Sequence, residues 1–205
     1  MFTGIIQCVG SITRLDRVGG DVQLVLACPG FELDDVALGD SIALSGACMT
    51  VVRLEPGARR FHVEISAESL DKTAGLAGAG EVNLEKAMRA DARLDGHLVS
   101  GHVDGVGRVT RFERVGESWA LEVEAPASLA RFLAVKGSVA VDGVSLTVNS
   151  IEDRASGCAI GINLIPHTVQ NTSLRGLAVG RRVNLEIDLI ARYVERMLGL
   201  SPRPA

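Results

Sequence analysis

Cys48 and Ser145 occupy the same slot of a short pattern that occurs twice, G-x-[CS]-x-T-V, as Gly46-Ala47-Cys48-Met49-Thr50-Val51 and Gly143-Val144-Ser145-Leu146-Thr147-Val148. A thiol and a hydroxyl become nucleophiles or proton carriers once a neighbour orients them. A matched pair therefore points to two related pockets with unequal chemistry. The plainer reading of either residue alone is a small side chain packed after a glycine turn. A second mismatch of the same kind favours chemistry: Ile5 against His102, in Gly4-Ile5-Ile6 and Gly101-His102-Val103. An imidazole titrates near neutrality and can exchange protons with a ligand. With the hydroxyls of Ser145 and Thr147 in the same half, it would supply proton chemistry to one pocket. A third matched block, Glu64-Ile65-Ser66-Ala67-Glu68-Ser69 against Asn163-Leu164-Ile165-Pro166-His167-Thr168, carries polar side chains suited to a polyhydroxylated ligand, although a solvated loop would look the same.

Other chemistries find little support. His97 and His102 are five residues apart, which on a strand puts the rings on opposite faces, and no third ligand stands at a familiar metal spacing. Neither G-x-G-x-x-G between strand and helix nor G-x-x-x-x-G-K-[ST] occurs, so no phosphate-cradling loop is expected. The seven aromatic residues form no clustered stacking platform.

The elements that must position these residues are given by an internal repeat. At an offset of 97, Gly4 to Leu15 falls on Gly101 to Phe112 and Ser41 to Val51 on Ser138 to Val148, each with five identities. Pro29 falls on Pro126. Val82-Asn83-Leu84-Glu85 aligns with Val183-Asn184-Leu185-Glu186 at an offset of 101, with an insertion near Ala155-Ser156-Gly157. A period near 100 residues is domain-sized, too long for a solenoid unit. Within each unit, apolar and polar residues alternate in short runs such as Val22 to Leu26 and Leu121 to Val123, and glycines, 23 in the whole chain, punctuate them. That is strand-and-turn periodicity, and closing such a sheet on itself removes its exposed edges. Short helical turns are expected after Pro29 and after Pro126, where Ser128 to Leu133 reads as a helix. Leu189, Ile190, Tyr193, Val194, Met197 and Leu198 recur at helical spacing, so the chain should end in an amphipathic helix capped by Asp188. Its apolar stripe would pack on a barrel or join subunits. The class expected is all-β, two tandem units of closed or sandwiched antiparallel sheet plus one C-terminal helix.

The 205 residues carry a formal charge of −4, and 47% are hydrophobic, enough for packed cores but giving no general attraction to nucleic acid or anionic lipid. No run approaches the roughly 20 apolar residues of a membrane helix. A start of Met1-Phe2-Thr3-Gly4 lacks a basic region, so a cytoplasmic location is expected. Cys8, Cys28, Cys48 and Cys158 show no paired spacing and read as free thiols.

Taken in order, MFTGI, SGACMTV, LDGHLVSGHVDGVG, VDGVSLTV, LIPHTVQNTSL and VNLEIDLIARYVER resemble the riboflavin synthase family, of the trimeric lumazine-dismutating kind, over essentially the whole chain. The resemblance implies a six-stranded Greek-key lumazine-binding barrel at 1–97, a second at 98–188, a trimerisation helix at 189–200 and a tail at 201–205. It implies a four-carbon transfer between two 6,7-dimethyl-8-ribityllumazine molecules, giving riboflavin and 5-amino-6-(ribitylamino)uracil, the last step of riboflavin biosynthesis. It implies no metal and no cofactor, a homotrimer whose sites lie between neighbouring subunits, and room for association with lumazine synthase.

Carried over residue by residue, the resemblance gives Phe2, Ser41, Cys48, His102, Ser145, Thr147 and Asp188 catalytic parts, with Thr50 and Lys136 beside them. Cys48 would assist nucleophile addition or place a water at the acceptor, while Ser145, Thr147 and His102 would manage the methyl proton and ring hydrogen bonds. The substrate would be lined by Gly4 to Ile6, Cys48, Met49, Thr50, Glu64 to Ser69, Gly101 to Val103, Lys136, Ser145, Leu146, Thr147 and Asn163 to Thr168. The alternative is a non-catalytic relative that only holds lumazine or flavin. Survival of Cys48, His102, Ser145 and Thr147 favours the enzyme, because binding alone needs no positioned acid–base groups.

Overall fold

Each sequence repeat folds into its own closed barrel in the computed structural model, which describes residues 1–18 and 20–199, apart from the Val18 side chain. Residue 200, the last of the expected C-terminal helix, and the expected tail 201–205 fall outside the described residues. The first barrel comprises β1 (Cys8–Val18), β2 (Asp21–Ala27), β3 (Ser41–Leu44), β4 (Ala47–Glu55), β5 (Arg60–Ile65) and β6 (Gly80–Lys86). The second comprises β7 (Gly105–Val115), β8 (Ser118–Pro126), β9 (Ser138–Val141), β10 (Val144–Arg154), β11 (Gly157–Leu164) and β12 (Arg182–Ile187). The strands close in the order β1-β2-β5-β4-β3-β6 and, equivalently, β7-β8-β11-β10-β9-β12, with antiparallel pairing throughout.

Closure needs local bending, and the same bends recur at the repeat offset. Register shifts fall between Ile12 and Arg14 and between Val109 and Arg111, and again between Val51 and Arg53 and between Val148 and Ser150. A bulge at such points coils the strand and lets a six-stranded sheet meet itself. Alternation then sends one face inward. Leu24, Leu26, Ile42, Phe61, Val63 and Leu84 fill the first core, and Leu121, Val123, Val139, Ile160, Ile162 and Leu185 fill the second. Each such side chain, fully withdrawn from water, stabilises by about 1.5–3 kcal/mol. Cys28 and Cys158 are buried among them as space-fillers, and all four thiols are unpaired.

A helix follows the fifth strand of each barrel, α1 (Ala67–Lys72) and α3 (Pro166–Asn171). The short α2 (Ala127–Ala130) opens directly after Pro126, as expected, and ends at Arg131. The expected counterpart after Pro29 does not form, and that segment is a series of turns. Phe31 and Leu33 are both buried in the first core. Residues two apart lie on opposite sides of a helix, so burying both overrides the helix-opening proline. The chain ends in α4 (Leu189–Leu198), with Asp188 accepting a hydrogen bond from the Ile190 N–H at 2.9 Å as its N-cap. Helix α4 is tied down by ion pairs, Arg131–Glu195 at 2.7 Å and Arg192–Asp104 at 2.5 Å, while Ile190, Tyr193, Met197 and Leu198 stay exposed. Among the described residues no helix is long and apolar enough to cross a membrane.

The barrels meet about a local two-fold axis on which equivalent residues touch. A Cβ on Gly46 would stand 2.9 Å from the Gly143 nitrogen, and one on Gly143 would stand 2.6 Å from that of Gly46, so only glycine fits either position. Around this contact the amide of Asn83 donates to the Asp142 carbonyl at 2.8 Å, and that of Asn184 donates to the Ser45 carbonyl at 3.0 Å. Ser45 and Asp142 are themselves equivalent. The Asn83 N–H donates to Ser45 Oγ and the Asn184 N–H to the Asp142 carboxylate. Burial pushes the Asp142 carboxyl up to about 7.

Candidate active site

The chemistry-bearing residues are placed by two straps, the N-terminal segment and the linker between barrels. Phe2 and Val99, equivalent in the repeat, pair on the axis through Phe2 N–H to Val99 C=O at 2.7 Å and the reverse at 3.1 Å. From there each strap reaches the opposite barrel. The Cys48 N–H donates to the Gly101 carbonyl, and the Ser145 N–H donates to the Gly4 carbonyl, both at 2.8 Å. Approach is close: a Cβ on Gly101 would lie 2.6 Å from Cys48 Cβ, and one on Gly4 would lie 2.6 Å from Ser145 Cβ. Both glycines have positive φ, +82° and +77°.

Cys48 is half-buried in a cavity of about 330 Å³ lined by Ala47, Met49, Glu68, Ser69, Lys72, Thr73, Gly101, His102 and Val103. That volume lies at the lower end of the range for small-molecule sites. The floor carries the thiol and the strap, and the rim carries polar groups from α1. Ser66 caps α1 by accepting from the Ser69 N–H at 3.1 Å, which turns Glu68 and Ser69 into the cavity, and Lys72 pairs with Glu68 one helical turn on.

This arrangement corrects one expectation. His102 belongs with Cys48, not with Ser145 and Thr147, because the strap that carries it crosses to the other barrel. Ile5, its equivalent, lines a separate hollow of about 260 Å³ with Thr3, Gln7, Lys86 and Arg89.

Ser145 instead meets His97. The two are 2.7 Å apart, Oγ to Nδ1, and Nε2 of His97 is buried with no hydrogen-bond partner. Burial holds the His97 pKa below the ordinary histidine value, opposed by the Asp188 carboxylate, so the ring is neutral at pH 7. A neutral ring accepting from the Ser145 hydroxyl at Nδ1 leaves an Nε2–H to offer to a ligand. An orphaned buried donor costs about 1–3 kcal/mol, a cost that a bound acceptor would remove.

The sequence patterns overlooked His97 as a partner for Ser145. It lies outside the blocks that match between the two copies, so comparing them could not expose it. Lys72 and Thr73, which follow the matched loop after Leu70 and Asp71, were also missed.

The remaining expected residues fall as follows. Phe2 is fully buried, its ring against Gly101 and beside Cys48, so it supports the strap from beneath. Ser41 and Thr50 are cross-strand neighbours at one barrel end, and Thr147 pairs with Ser138 in the other barrel. Lys136 is exposed on the turn before β9, with φ +67°, its N–H donating to the Val148 carbonyl at 2.7 Å. Glu64 is an exposed residue of β5. On α3, His167 and Thr168 take the places of Glu68 and Ser69, and Asn171 donates to the His167 carbonyl. Asn163, Ile165 and Pro166 are exposed, Leu164 lies in the core, and Leu146 and Met49 are buried. Ile6 packs against the second core and Val103 against the first.

Comparison with known proteins places this geometry. The lumazine binding domain model matches twice, over residues 3–87 and 100–188. The chain is 42% identical to the riboflavin synthase of Photobacterium phosphoreum over 200 residues, covering 97% of this chain and 89% of that protein. It is 39% identical to the riboflavin synthase of Mycobacterium tuberculosis over 201 residues, covering 97% and 98%. Among solved structures, LumP complexed with riboflavin superposes with a TM-score of 0.80 at 24% identity, over 91% of this chain and 99% of that one, a likeness of fold. With both barrels matched and near-full-length identity of this order, the chain belongs to the riboflavin synthase family.

Proposed function

We propose that the protein catalyses the dismutation of two 6,7-dimethyl-8-ribityllumazine molecules, moving a four-carbon unit from one to the other to give riboflavin and 5-amino-6-(ribitylamino)uracil. One observation carries the reading at the level of side chains: equivalent places in two copies of one barrel hold different reactive groups. Cys48 shares its cavity with His102, whereas Ser145 is hydrogen-bonded to a neutral His97. Two identical substrates need unequal treatment. The donor must lose a proton from its 7-methyl group, and the acceptor must take a nucleophile at ring carbon 7.

In this reading the thiol of Cys48 assists addition at the acceptor, with His102 available to move the accompanying proton. Ser145 and His97 act as a hydroxyl–imidazole pair at the donor, where a neutral imidazole is the form able to accept a proton. Thr147 and Asp188 complete that side, and Glu68, Ser69 and Lys72 engage the polyhydroxylated chain at the first cavity's rim. Every atom of the products derives from the two substrates, so the reaction needs no external oxidant or reductant.

Because the exchange requires two ligands to meet, we further propose a homotrimer in which the exposed apolar face of α4 contacts a neighbour and brings an N-terminal barrel of one subunit against a C-terminal barrel of the next. The four unpaired thiols suit a reducing cytoplasm.

The test is direct. Purified protein mixed with the ribityllumazine alone, without metal or nucleotide, should form riboflavin, followed by absorbance, with one uracil product released per riboflavin. Tight binding with no turnover would identify a carrier instead.

A further inference from the structure

Each barrel holds its strap with one buried carboxylate. Glu186 of β12 accepts from the Ser100 N–H at 2.5 Å, the Ser100 hydroxyl at 2.7 Å and the Gly101 N–H at 3.0 Å. Glu85 of β6 does the same in the other copy, accepting from the Thr3 N–H and hydroxyl at 2.7 Å and the Gly4 N–H at 3.0 Å. The peptide so gripped then offers its carbonyl across the axis, Gly101 to the Cys48 N–H and Gly4 to the Ser145 N–H.

We infer that Glu186 and Glu85 are positioning residues that act crosswise: Glu186 of the C-terminal barrel sets Cys48 and His102 in the N-terminal pocket, and Glu85 of the N-terminal barrel sets Ser145 in the C-terminal one. Burying a carboxylate is costly, and a strand interior is served more cheaply by an aliphatic side chain. What an aliphatic chain cannot supply is a two-oxygen fork that accepts consecutive backbone N–H groups and a hydroxyl together. Burial pushes both carboxyls up, and the three donors in each clamp oppose it. The packing leaves the strap no slack, since Gly101 and Gly4 lie too close to Cys48 and Ser145 for a Cβ. A strap shifted by a fraction of an ångström therefore moves the pocket wall, and His102 with it.

This inference rests on the reading of the two pockets as substrate sites, and the experiment separates the two. In the full chain, Glu186→Gln and Glu85→Gln keep the volume but replace one accepting oxygen with an amide. The pocket thiol is reported by iodoacetamide labelling mapped by peptide mass spectrometry, once in the natural arrangement and once with Cys48→Ser and Ser145→Cys combined, which moves the thiol to the other pocket. Glu186→Gln should change labelling at position 48 by about threefold or more and leave a thiol at 145 unaffected, with Glu85→Gln giving the converse. Each should also lower turnover by about tenfold, chiefly in kcat, because misplaced reacting groups cost rate.

Equal effects on both thiols, effects confined to each glutamate's own barrel, or unchanged labelling would overturn the proposal. If the glutamine variants do not fold, Ser100→Ala and Thr3→Ala each remove a single donor and should show the same crossed pattern in weaker form. A chain that makes riboflavin without the crossed pattern loses this inference alone. A chain with the pattern and no turnover loses the proposed activity and keeps the clamp.

Discussion

At the scale of single residues, a thiol or hydroxyl after a glycine turn gains meaning only from its neighbours. Cys48 faces a cavity with an imidazole at its edge, and Ser145 is within hydrogen-bond distance of another. Cys48→Ala should therefore lower riboflavin formation by at least tenfold while leaving circular dichroism and melting temperature nearly unchanged, since a positioned catalytic group contributes about 10²–10⁴-fold. A variant with wild-type rates would return Cys48 to a packing role. The repeat exposed Cys48, His102 and Ser145 because each differs from its equivalent. It hid His97, which lies outside the matched blocks, and it hid Glu85 and Glu186 because they agree. The signal for the glutamates was still present: V-N-L-E appears unchanged in both copies, with polar residues at alternate positions of the motif. Both of those polar residues, the asparagine and the glutamate, are buried and hydrogen-bonded.

At the scale of elements, the inter-barrel turns carry a broken symmetry that titrates. Ser45 and Asp142 do the same work, each accepting from an asparagine N–H, but only Asp142 can ionise. Its carboxyl is raised from an ordinary 3.8 to about 7 in the folded chain, chiefly by burial. A raised acid binds its proton more tightly when folded, so its stabilising effect is complete below about pH 4 and is lost as pH rises through about 7. The melting temperature of the wild type should thus fall between about pH 4 and pH 7, and level off above, relative to that of Asp142→Asn, whose amide keeps the acceptor and cannot ionise. Parallel profiles for the two proteins would mean that the carboxyl is not protonated in the fold. The expected helical turn after Pro29 failed at this same scale, because core anchoring by Phe31 and Leu33 outweighs a local propensity.

At the scale of the whole molecule, α4 is held to its own barrel by two ion pairs and leaves its apolar stripe uncovered. Removing the residues after Asp188 should convert the protein to monomers by light scattering or sedimentation and reduce turnover to a small fraction, while each barrel stays folded. A fully active monomer would contradict a site shared between subunits. The barrels have no such freedom from one another: glycine-on-glycine contact, crossed asparagine bonds and paired straps join them about the axis.

Much of this was readable before any coordinates. An internal offset of 97 reveals two barrels, alternation and glycine spacing reveal strands, and period-3.6 patterning with Asp188 reveals the last helix and its cap, because these are local or self-referential signals. What the chain does with its straps was not readable. Which barrel receives Gly101 or Gly4 depends on how the two copies pack, and no residue pattern within one copy encodes a contact made by the other. The same packing decides that His102 shares a cavity with Cys48, that His97 bonds Ser145, and that the straps gripped by two glutamates in identical motifs reach across the axis.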